Sequence, residues 1–474
     1  MNTALVWFRN NLRTQDNIVL AEAVRQYDRV IPLYVFDPFW FGDTDFGFEK
    51  TGPFRAKFLV ESIQNLKHNL QQLSGDLAVR QGKTEDVIAE YVQAHDVQAI
   101  FYPFEAASEE QSIESAVRQA VPKQVQVFVY QESTLVHRDH LPFDVRETPE
   151  QFTVFRKKVE KDLQVRSLEP VPEQVPIPTD LKLGQVPTLE KLGIDEPAVD
   201  ERAAIRFEGG ETAGLRRLKH YLWDEDLLKS YKETRNGLLG ADYSGKFSAW
   251  MANGCLSPRT IYWEVKRYEA ERVSNDSTYW MIFEILWRDY WKWLSERYGD
   301  RLFYPSGPKG KTLLGKNDLS LFNRWKEGRT GVPFVDANMI ELQQTGFMSN
   351  RGRQNVASFL VKDLGINWLL GAEYFESMLI DYDPASNYGN WAYVAGVGND
   401  PRKDRYFNVV KQSKDYDPEG LYSKHWLPQL EKVSAKAIHS MGNFDQALYE
   451  ETDYTYPIQL PLAFRQAHGA AKRR

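Results

Sequence analysis

Short apolar runs alternate with stretches of helical spacing through the first 130 residues. The apolar runs cover 4–8, 30–36, 77–80, 99–102 and 125–129, and the helical stretches between them cover 17–26, 54–73, 84–94 and 109–120. Continuous apolar strands separated by helices are typical of a parallel sheet that is covered on both faces. We therefore predict a doubly wound α/β domain over residues 1–130.

The pattern changes twice further along the chain. Over residues 131–203 the periodicity fades and prolines recur, which predicts a connector that runs over the surface. From residue 204 to 474 the spacing is helical almost throughout, so we predict an all-α second domain with its main helices at 210–232, 258–271, 277–298, 317–327, 334–345, 348–364 and 371–380. A length of 474 residues also fits two domains.

Composition narrows the class of protein. Cys255 is the only cysteine, so a disulfide framework and a cysteine-based metal site are excluded, and no His, Asp or Glu spacing indicates another metal site. No apolar stretch is long enough for a membrane span, and no signal or transit peptide is recognisable, so we expect a cytoplasmic protein without membrane contact. A net charge of −7 argues against nucleic-acid binding by bulk charge, although local basic patches remain compatible with it.

Polar residues cluster between apolar helices in the second half of the chain. Asp381, Asp383 and Asn387 follow one predicted helix, and Asn350 and Arg353 lie on the helix before it. Because Asp and Arg are seldom buried without partners, we predict an Arg353–Asp381 pair beside a flat, polar, redox-active ligand. The alternative is a solvated helix face.

Two further segments could bind parts of a nucleotide. The segment 242–251 opens a predicted helix with a set of small, hydroxyl and cationic residues (Ser244, Gly245, Lys246, Phe247 and Ser248), which suits phosphate binding. Taken alone, it is better explained as an ordinary helix cap. On helix 277–298, Glu284 and Trp287 could hydrogen-bond and stack a nucleobase, or Glu284 could simply pair with an arginine in the core.

Several ordered segments resemble the photolyase/cryptochrome family, and within it the DASH branch. They extend over nearly the whole chain, at 7–13, 256–259, 287–290, 331–339, 347–354, 381–391, 396–402 and 416–420. Gln354 and Tyr393 resemble the DASH branch more than the ordinary dimer photolyases, which have methionine and tryptophan there.

The resemblance implies a folded FAD in the helical domain. It implies that Tyr231 and the segment Ser244–Ser248 hold the phosphates and ribityl chain. It places Asn350, Arg353, Asp381, Asp383 and Asn387 around the isoalloxazine ring, with Asn387 near its N5 atom. As catalytic residues at the cavity for a flipped-out pyrimidine dimer it implies Glu284, Trp287, Asn350, Gln354 and Tyr393.

The function implied is light-driven repair of cyclobutane pyrimidine dimers by electron transfer from reduced, excited flavin. Photolyases are among the enzymes that extrude the base on which they act, and the DASH branch favours single-stranded DNA, where extrusion costs less. Duplex DNA would be a substrate if extrusion is assisted, and we expect a monomer.

The alternatives are a blue-light photoreceptor without repair turnover and a flavoprotein that only transfers electrons. Long signalling cryptochromes carry a C-terminal extension, so the early end of this sequence favours the enzyme.

Two expectations concern light and electrons. Trp391 and Trp368 match the first two tryptophans of the family's photoreduction chain, but the third position falls at Gly315. Either Trp325 or a tyrosine substitutes, or photoreduction is slower. DASH proteins often carry a methenyltetrahydrofolate antenna, and Glu109 and Glu160 lie in segments that resemble those contacting it.

Overall fold

The sheet of the first domain is parallel throughout. A computed structural model describes residues 2–311, 315–402, 405–442 and 446–464, with the side chains of 446–448 left out. The five strands are β1 (Thr3–Trp7), β2 (Arg29–Phe36), β3 (Ala78–Gln81), β4 (Val97–Pro103) and β5 (Gln126–Tyr130). They pair in the order β3-β2-β1-β4-β5. The chain order reverses between β1 and β4, and the predicted doubly wound domain is confirmed.

Four helices cover this sheet: α1 (Ile18–Gln26), α2 (Pro53–Gln72), α3 (Thr84–Ala94) and α4 (Ser108–Ala120). The predicted spans differ from these by at most one residue at either end. Asn17 begins α1 by accepting a hydrogen bond from the Leu20 amide, and Pro53 occupies the first turn of α2.

The stretch predicted as a connector contains one helix, α5 (Phe152–Glu160). Phe152 and Phe155 are buried, and Phe152 stacks on Trp287 with ring centroids 3.7 Å apart. The helix has only nine residues, so its apolar spacing is too brief to stand out among the prolines around it.

The described residues from 211 onward are mainly helical, as predicted. Its helices are α6 (Glu211–Lys219), α7 (Tyr231–Thr234), α8 (Ser248–Ala252), α9 (Pro258–Glu271), α10 (Asp276–Tyr298), α11 (Leu319–Lys326), α12 (Pro333–Thr345), α13 (Asn350–Ser358), α14 (Trp368–Met378), α15 (Pro384–Ala395), α16 (Val409–Tyr416), α17 (Leu421–Trp426), α18 (Ala435–Ile438) and α19 (Gln446–Thr452). The longest, α10, packs against α5, α7, α9 and α15. Among the helices of the described residues, none combines the length and the apolar character needed to cross a membrane.

Two predicted helices are shorter than expected. The continuous helix 210–232 is wrong, because α6 gives way to a π-helical turn at 220–224 and Asp226 then adopts a left-handed φ of 55°. The helix predicted at 348–364 likewise ends as α13 and a π-helical turn at 359–363, before Gly365 at φ 70°. Left-handed backbone cannot continue an α-helix, so the chain changes direction at Asp226 and at Gly365.

Buried polar contacts join the two domains. The carboxylate of Asp16, after β1, lies 2.7 Å from the Arg259 guanidinium of α9 and accepts a 2.5 Å hydrogen bond from Ser257. The carboxylate of Asp289 on α10 accepts hydrogen bonds from the amides of Leu135 and Val136. The helical domain is therefore fixed against the α/β domain by charges that have left water.

Removing one partner of the buried pair should destabilise the protein. Asp16→Ala leaves Arg259 buried without its carboxylate, which costs about 3–5 kcal/mol and should lower the midpoint of thermal unfolding clearly. Asp224→Ala, which breaks an exposed pair with Lys219, is the matched control and should cost less than about 1 kcal/mol. Equal shifts for the two variants, measured by circular dichroism, would contradict this role of Asp16.

Candidate functional site

A cavity of about 610 Å³ opens among the C-terminal helices. Its wall comes from α7, α10, α13, α15 and the segment that leads into α8. This volume is within the range of small-molecule and cofactor sites.

Most of the predicted site residues meet on this wall. They are Tyr231, Ser244, Gly245, Lys246, Phe247, Ser248, Glu284, Trp287, Asn350, Arg353, Gln354, Asp381, Asp383 and Tyr393. Asn387 is buried on α15, and its amide nitrogen donates to the carbonyl of Ala372 at 2.9 Å. Its proximity to a flavin N5 atom stays a prediction.

The segment before α8 is shaped by an arginine that the sequence analysis did not single out. Arg217 on α6 donates to the carbonyls of Ser244 and Gly245 at 2.9 and 3.0 Å. Helix α8 itself has only five residues, so the loop rather than a long helix forms this wall. Lys246, at a left-handed φ of 54°, places its ammonium 3.3 Å from the ring centroid of Tyr243.

Lys246 is a buried cation on the cavity wall. Burial lowers its pKa to about 7, although the carboxyl of Glu341 opposes the shift. Burial also raises the pKa of Glu341 to about 7, while the Tyr422 hydroxyl and Lys246 oppose that rise. A ligand anion beside Lys246 would restore its positive charge, and this fits the predicted place for phosphates.

The predicted pair between Arg353 and Asp381 is present. One guanidinium nitrogen of Arg353 lies 2.8 Å from Asp381 Oδ2. The other carboxylate oxygen, Oδ1, is buried and accepts no hydrogen bond from the described residues, and the same holds for the buried hydroxyl of Tyr243. Buried polar atoms without partners are costly, so this wall fits a ligand with several polar groups, such as a flavin dinucleotide.

Asp383 is held by a second buried pair. Its Oδ2 lies 2.5 Å from the ammonium of Lys292 on α10, and Glu105 lies 3.5 Å from the same ammonium. Burial alone would raise the pKa of Asp383, but Lys292 and Arg288 outweigh it and lower the pKa to about 2. Asp383 also caps α15 by accepting from the amide of Ser386 at 2.8 Å.

Glu284 has the arginine partner that one interpretation of the sequence predicted, whereas its contact with a nucleobase stays a prediction. Glu284 is on the cavity wall, and its carboxylate also forms an ion pair with Arg235. Burial raises the pKa of Glu284, and Arg235 offsets part of that rise. Trp287, one turn further along α10, presents a flat surface backed by Phe152.

Arg405 completes the opposite side of the cavity. It donates to the Tyr393 hydroxyl at 2.7 Å and pairs with the buried carboxylate of Asp400. The sequence analysis missed Arg235, Lys292 and Arg405. A lysine between two tryptophans of α10 was a usable signal for Lys292, whereas Arg405 stands in an irregular segment without periodicity.

The tryptophans predicted for electron transfer lie behind the cavity. Trp391 and Trp368 are 3% and 2% exposed, and the indole nitrogen of Trp368 donates to the Pro305 carbonyl at 3.1 Å. Trp325 is fully buried and donates to the carbonyl of Val356, so it does not reach the surface. At the third position, a Cβ on Gly315 would lie 2.5 Å from the backbone of Asn367, which leaves no room for a side chain unless that backbone shifts.

The two residues predicted for an antenna have separate partners. Glu109 on α4 lies 2.7 Å from the Lys50 ammonium. Glu160 on α5 accepts from the Tyr279 hydroxyl at 2.7 Å and pairs with Arg156. Their role in folate binding stays a prediction.

Comparison with known families agrees with this geometry. The family model of DNA photolyase matches residues 4–177, and that of the FAD binding domain of DNA photolyase matches residues 280–471. The second match includes most of α10 and all of α11 to α15, and it therefore contains Glu284, Arg353 and Asp381.

Individual proteins are similar over nearly the whole chain. Cryptochrome DASH of Gloeobacter violaceus is 53% identical over 92% of this chain and 88% of its own length. The crystal structure of a cryptochrome from Synechocystis sp. PCC6803 superposes with a TM-score of 0.94 at 46% identity, over 100% of this chain and 99% of that one. An archaeal photolyase from Sulfolobus tokodaii, solved with two FAD molecules, has a TM-score of 0.80 at 26% identity and covers 100% of both chains.

These matches define an FAD-binding protein of the photolyase class. The chain belongs to the photolyase/cryptochrome family and, within it, to the cryptochrome DASH proteins. The residues on the cavity wall fit the cofactor, since a buried lysine, a half-buried arginine paired with a buried aspartate, and unpartnered polar atoms all lie on the wall of one cavity.

FAD affinity should depend on pH through Lys246. In the FAD-free protein Lys246 loses its charge above about pH 7, so binding the diphosphate there requires proton uptake, and ionised Glu341 adds repulsion. Affinity should fall as pH rises above 7, by up to about tenfold per pH unit. Titration of the apoprotein with FAD, followed by flavin fluorescence, measures this. Lys246→Met should bind more weakly with a flatter profile, and an unchanged profile would contradict the assignment.

Proposed function

We propose that this protein repairs cyclobutane pyrimidine dimers in light, acting mainly on single-stranded DNA. The observation that carries the proposal is the arrangement of one cavity. A carboxyl group with a raised pKa and an aromatic surface share it with the residues that fit FAD. An electron-transfer flavoprotein would not need the first two groups beside its cofactor.

When bound and reduced, FAD supplies the excited electron donor for the reaction. The protein's part is to bind and orient the lesion. Glu284, whose burial favours the neutral form, can donate a hydrogen bond to a pyrimidine carbonyl or accept one from a ring N–H. The face of Trp287 can stack on a base, and the Gln354 amide and Tyr393 hydroxyl provide further polar contacts.

Internal partners hold two of these groups ready. Arg235 keeps the Glu284 carboxyl in place, and Arg405 does the same for the Tyr393 hydroxyl. A lesion that enters would exchange these contacts for its own, while both guanidiniums stay close enough to meet the adjacent phosphates.

The cost of extruding a base supports a single-stranded substrate. The net charge of −7 gives no general attraction to DNA of either kind, so binding depends on local contacts at the cavity. Extruding a base costs least where it is already unpaired. Duplex DNA would need a further contribution from bending or melting.

Repair can be measured directly. Protein with chemically reduced flavin, illuminated with a single-stranded oligonucleotide that contains one thymine dimer, should restore the absorbance of intact thymines. Glu284→Gln should keep its FAD and lower repair about tenfold or more, since one hydrogen bond to the lesion is lost or weakened.

Glu271→Gln, an exposed carboxylate on α9, is the matched control and should repair at the wild-type rate. No thymine recovery with fully reduced flavin would overturn the repair proposal and favour a photoreceptor. Equal repair by Glu284→Gln and wild type would remove Glu284 from the lesion contact.

A further inference from the structure

Tyr388 sits where two helices bring the predicted electron-transfer residues together. Its ring centroid lies 6.2 Å from that of Trp368, in an edge-to-face arrangement. It also precedes Trp391 by three residues on α15, one helical turn away. Gly371 on α14 makes the close packing of the two helices feasible, because a Cβ there would lie 2.2 Å from the Trp391 ring.

The hydroxyl of Tyr388 has a buried carboxylate as its partner. It donates to Glu376 Oε2 at 3.2 Å, and the side chains of both residues are largely shielded from water. This distance is within hydrogen-bond reach for proton transfer. The other oxygen of Glu376 lies 3.0 Å from the Lys50 ammonium, so the carboxyl group that faces Tyr388 is fixed in place by a buried ion pair.

Lys50 keeps a partner if Glu376 becomes neutral. The Lys50 ammonium also lies 2.7 Å from the carboxylate of Glu109. Protonation of Glu376 therefore leaves the buried lysine paired, which avoids the cost of an isolated buried charge. Lys50, Glu109, Glu373 and Glu376 are the charged groups that act on this region.

Loss of the third tryptophan calls for another donor. Gly315 carries no side chain at that position, and Trp325 lies deep in the core beside Trp391 rather than beyond Trp368. The undescribed segment 312–314 contains no aromatic residue. Tyr388 is an oxidisable residue in ring contact with Trp368.

We propose that Tyr388 and Glu376 together replace the third tryptophan of the photoreduction chain. This would supply the reduced flavin that the proposed function requires, and it rests on the predicted photoreduction chain, in which Trp391 and then Trp368 are oxidised after FAD absorbs light. One electron passes from Tyr388 to the oxidised Trp368, the phenol O–H bond breaks, and the proton goes to Glu376 Oε2. The products are neutral Trp368, a neutral tyrosyl radical and a neutral carboxylic acid. An added thiolate in solution then returns one electron to the tyrosyl radical and becomes a thiyl radical, while the proton returns from Glu376 Oε2 to the phenol oxygen.

The proton transfer is what makes a buried donor suitable. Oxidation without it would leave a phenol cation in a site that is shielded from water, at a large cost in solvation. With it, no new charge remains on the tyrosine. The electron is then slow to return to Tyr388, because the proton must return as well.

The test compares variants that alter one part each. In oxidised, FAD-loaded protein with thiol, light should produce a tyrosyl signal by electron paramagnetic resonance and bleach the flavin band. Tyr388→Phe should lose the tyrosyl signal and slow bleaching about tenfold or more. Glu376→Gln keeps the tyrosine ring but should show the same loss. Wild-type photoreduction should also slow in D₂O.

Tyr374→Phe is the matched control, since Tyr374 is a buried tyrosine of the same core in ring contact with Trp325. It should behave as wild type. A tyrosyl signal that persists in Tyr388→Phe and disappears in Tyr304→Phe would overturn the proposal in favour of the exposed tyrosine next to Pro305. Full photoreduction in both Tyr388→Phe and Glu376→Gln would also overturn it.

Two further measurements separate a failure of the predicted electron route from a failure of the proposed repair function. If Trp368→Phe photoreduces normally, the route through Trp368 is wrong and the Tyr388 assignment falls with it. Repair by chemically reduced wild-type protein needs no photoreduction chain, so that assay judges the repair proposal on its own.

Discussion

The buried ion pair between Lys292 and Asp383 is the constraint on which the cavity depends. It joins α10, which carries Glu284 and Trp287, to the start of α15, which carries Tyr393. Glu105, just beyond β4, approaches the same ammonium and links the pair to the sheet. Removing one member of this buried pair would leave the other charge uncompensated, at a cost of about 3–5 kcal/mol. The two walls therefore keep a fixed separation, and a ligand finds them already in position.

The cavity wall combines strong internal pairs with polar atoms that still lack partners. Arg353 binds one carboxylate oxygen of Asp381, and the other oxygen has no hydrogen-bond partner among the described residues. Arg235 and Arg405 bind the Glu284 carboxylate and the Tyr393 hydroxyl, which could exchange these partners for a ligand. Such a site is organised before the cofactor and substrate arrive, so less entropy is lost when they bind. Helix α15 of the cavity wall also carries Trp391 and Tyr388, and α14, which packs against it, carries Trp368, so the cavity and the predicted electron route are parts of one packed unit.

Much of this arrangement was predictable from local sequence patterns, since strands and long helices follow from the period of apolar residues. The π-helical turns after α6 and α13 were not predictable in this way, because single left-handed residues such as Asp226 end a helix within a pattern that looks continuous. Helix α5 was too short to detect.

The residues of the candidate site also fall into a predictable group and an unpredictable one. Arg353 and Asp381 were predictable as a pair because unpartnered charges are rare between apolar helices. Arg235 and Lys292 were missed because their partners lie far away along the chain, and only the folded structure brings them together. Arg405 pairs with the nearby Asp400 but stands in an irregular segment, where no periodicity draws attention to it. The partner of Asn387 was not predictable either, because it is a backbone carbonyl of the preceding helix, which only the fold brings close.

The most direct test of the account is a crystal structure of the FAD-loaded protein with a single-stranded oligonucleotide containing a thymine dimer. The account predicts that the dimer lies in the cavity, with a pyrimidine edge within hydrogen-bond distance of Glu284 and a base face against Trp287. A dimer bound elsewhere on the surface, with the Arg235–Glu284 pair intact and the cavity closed to it, would contradict the account.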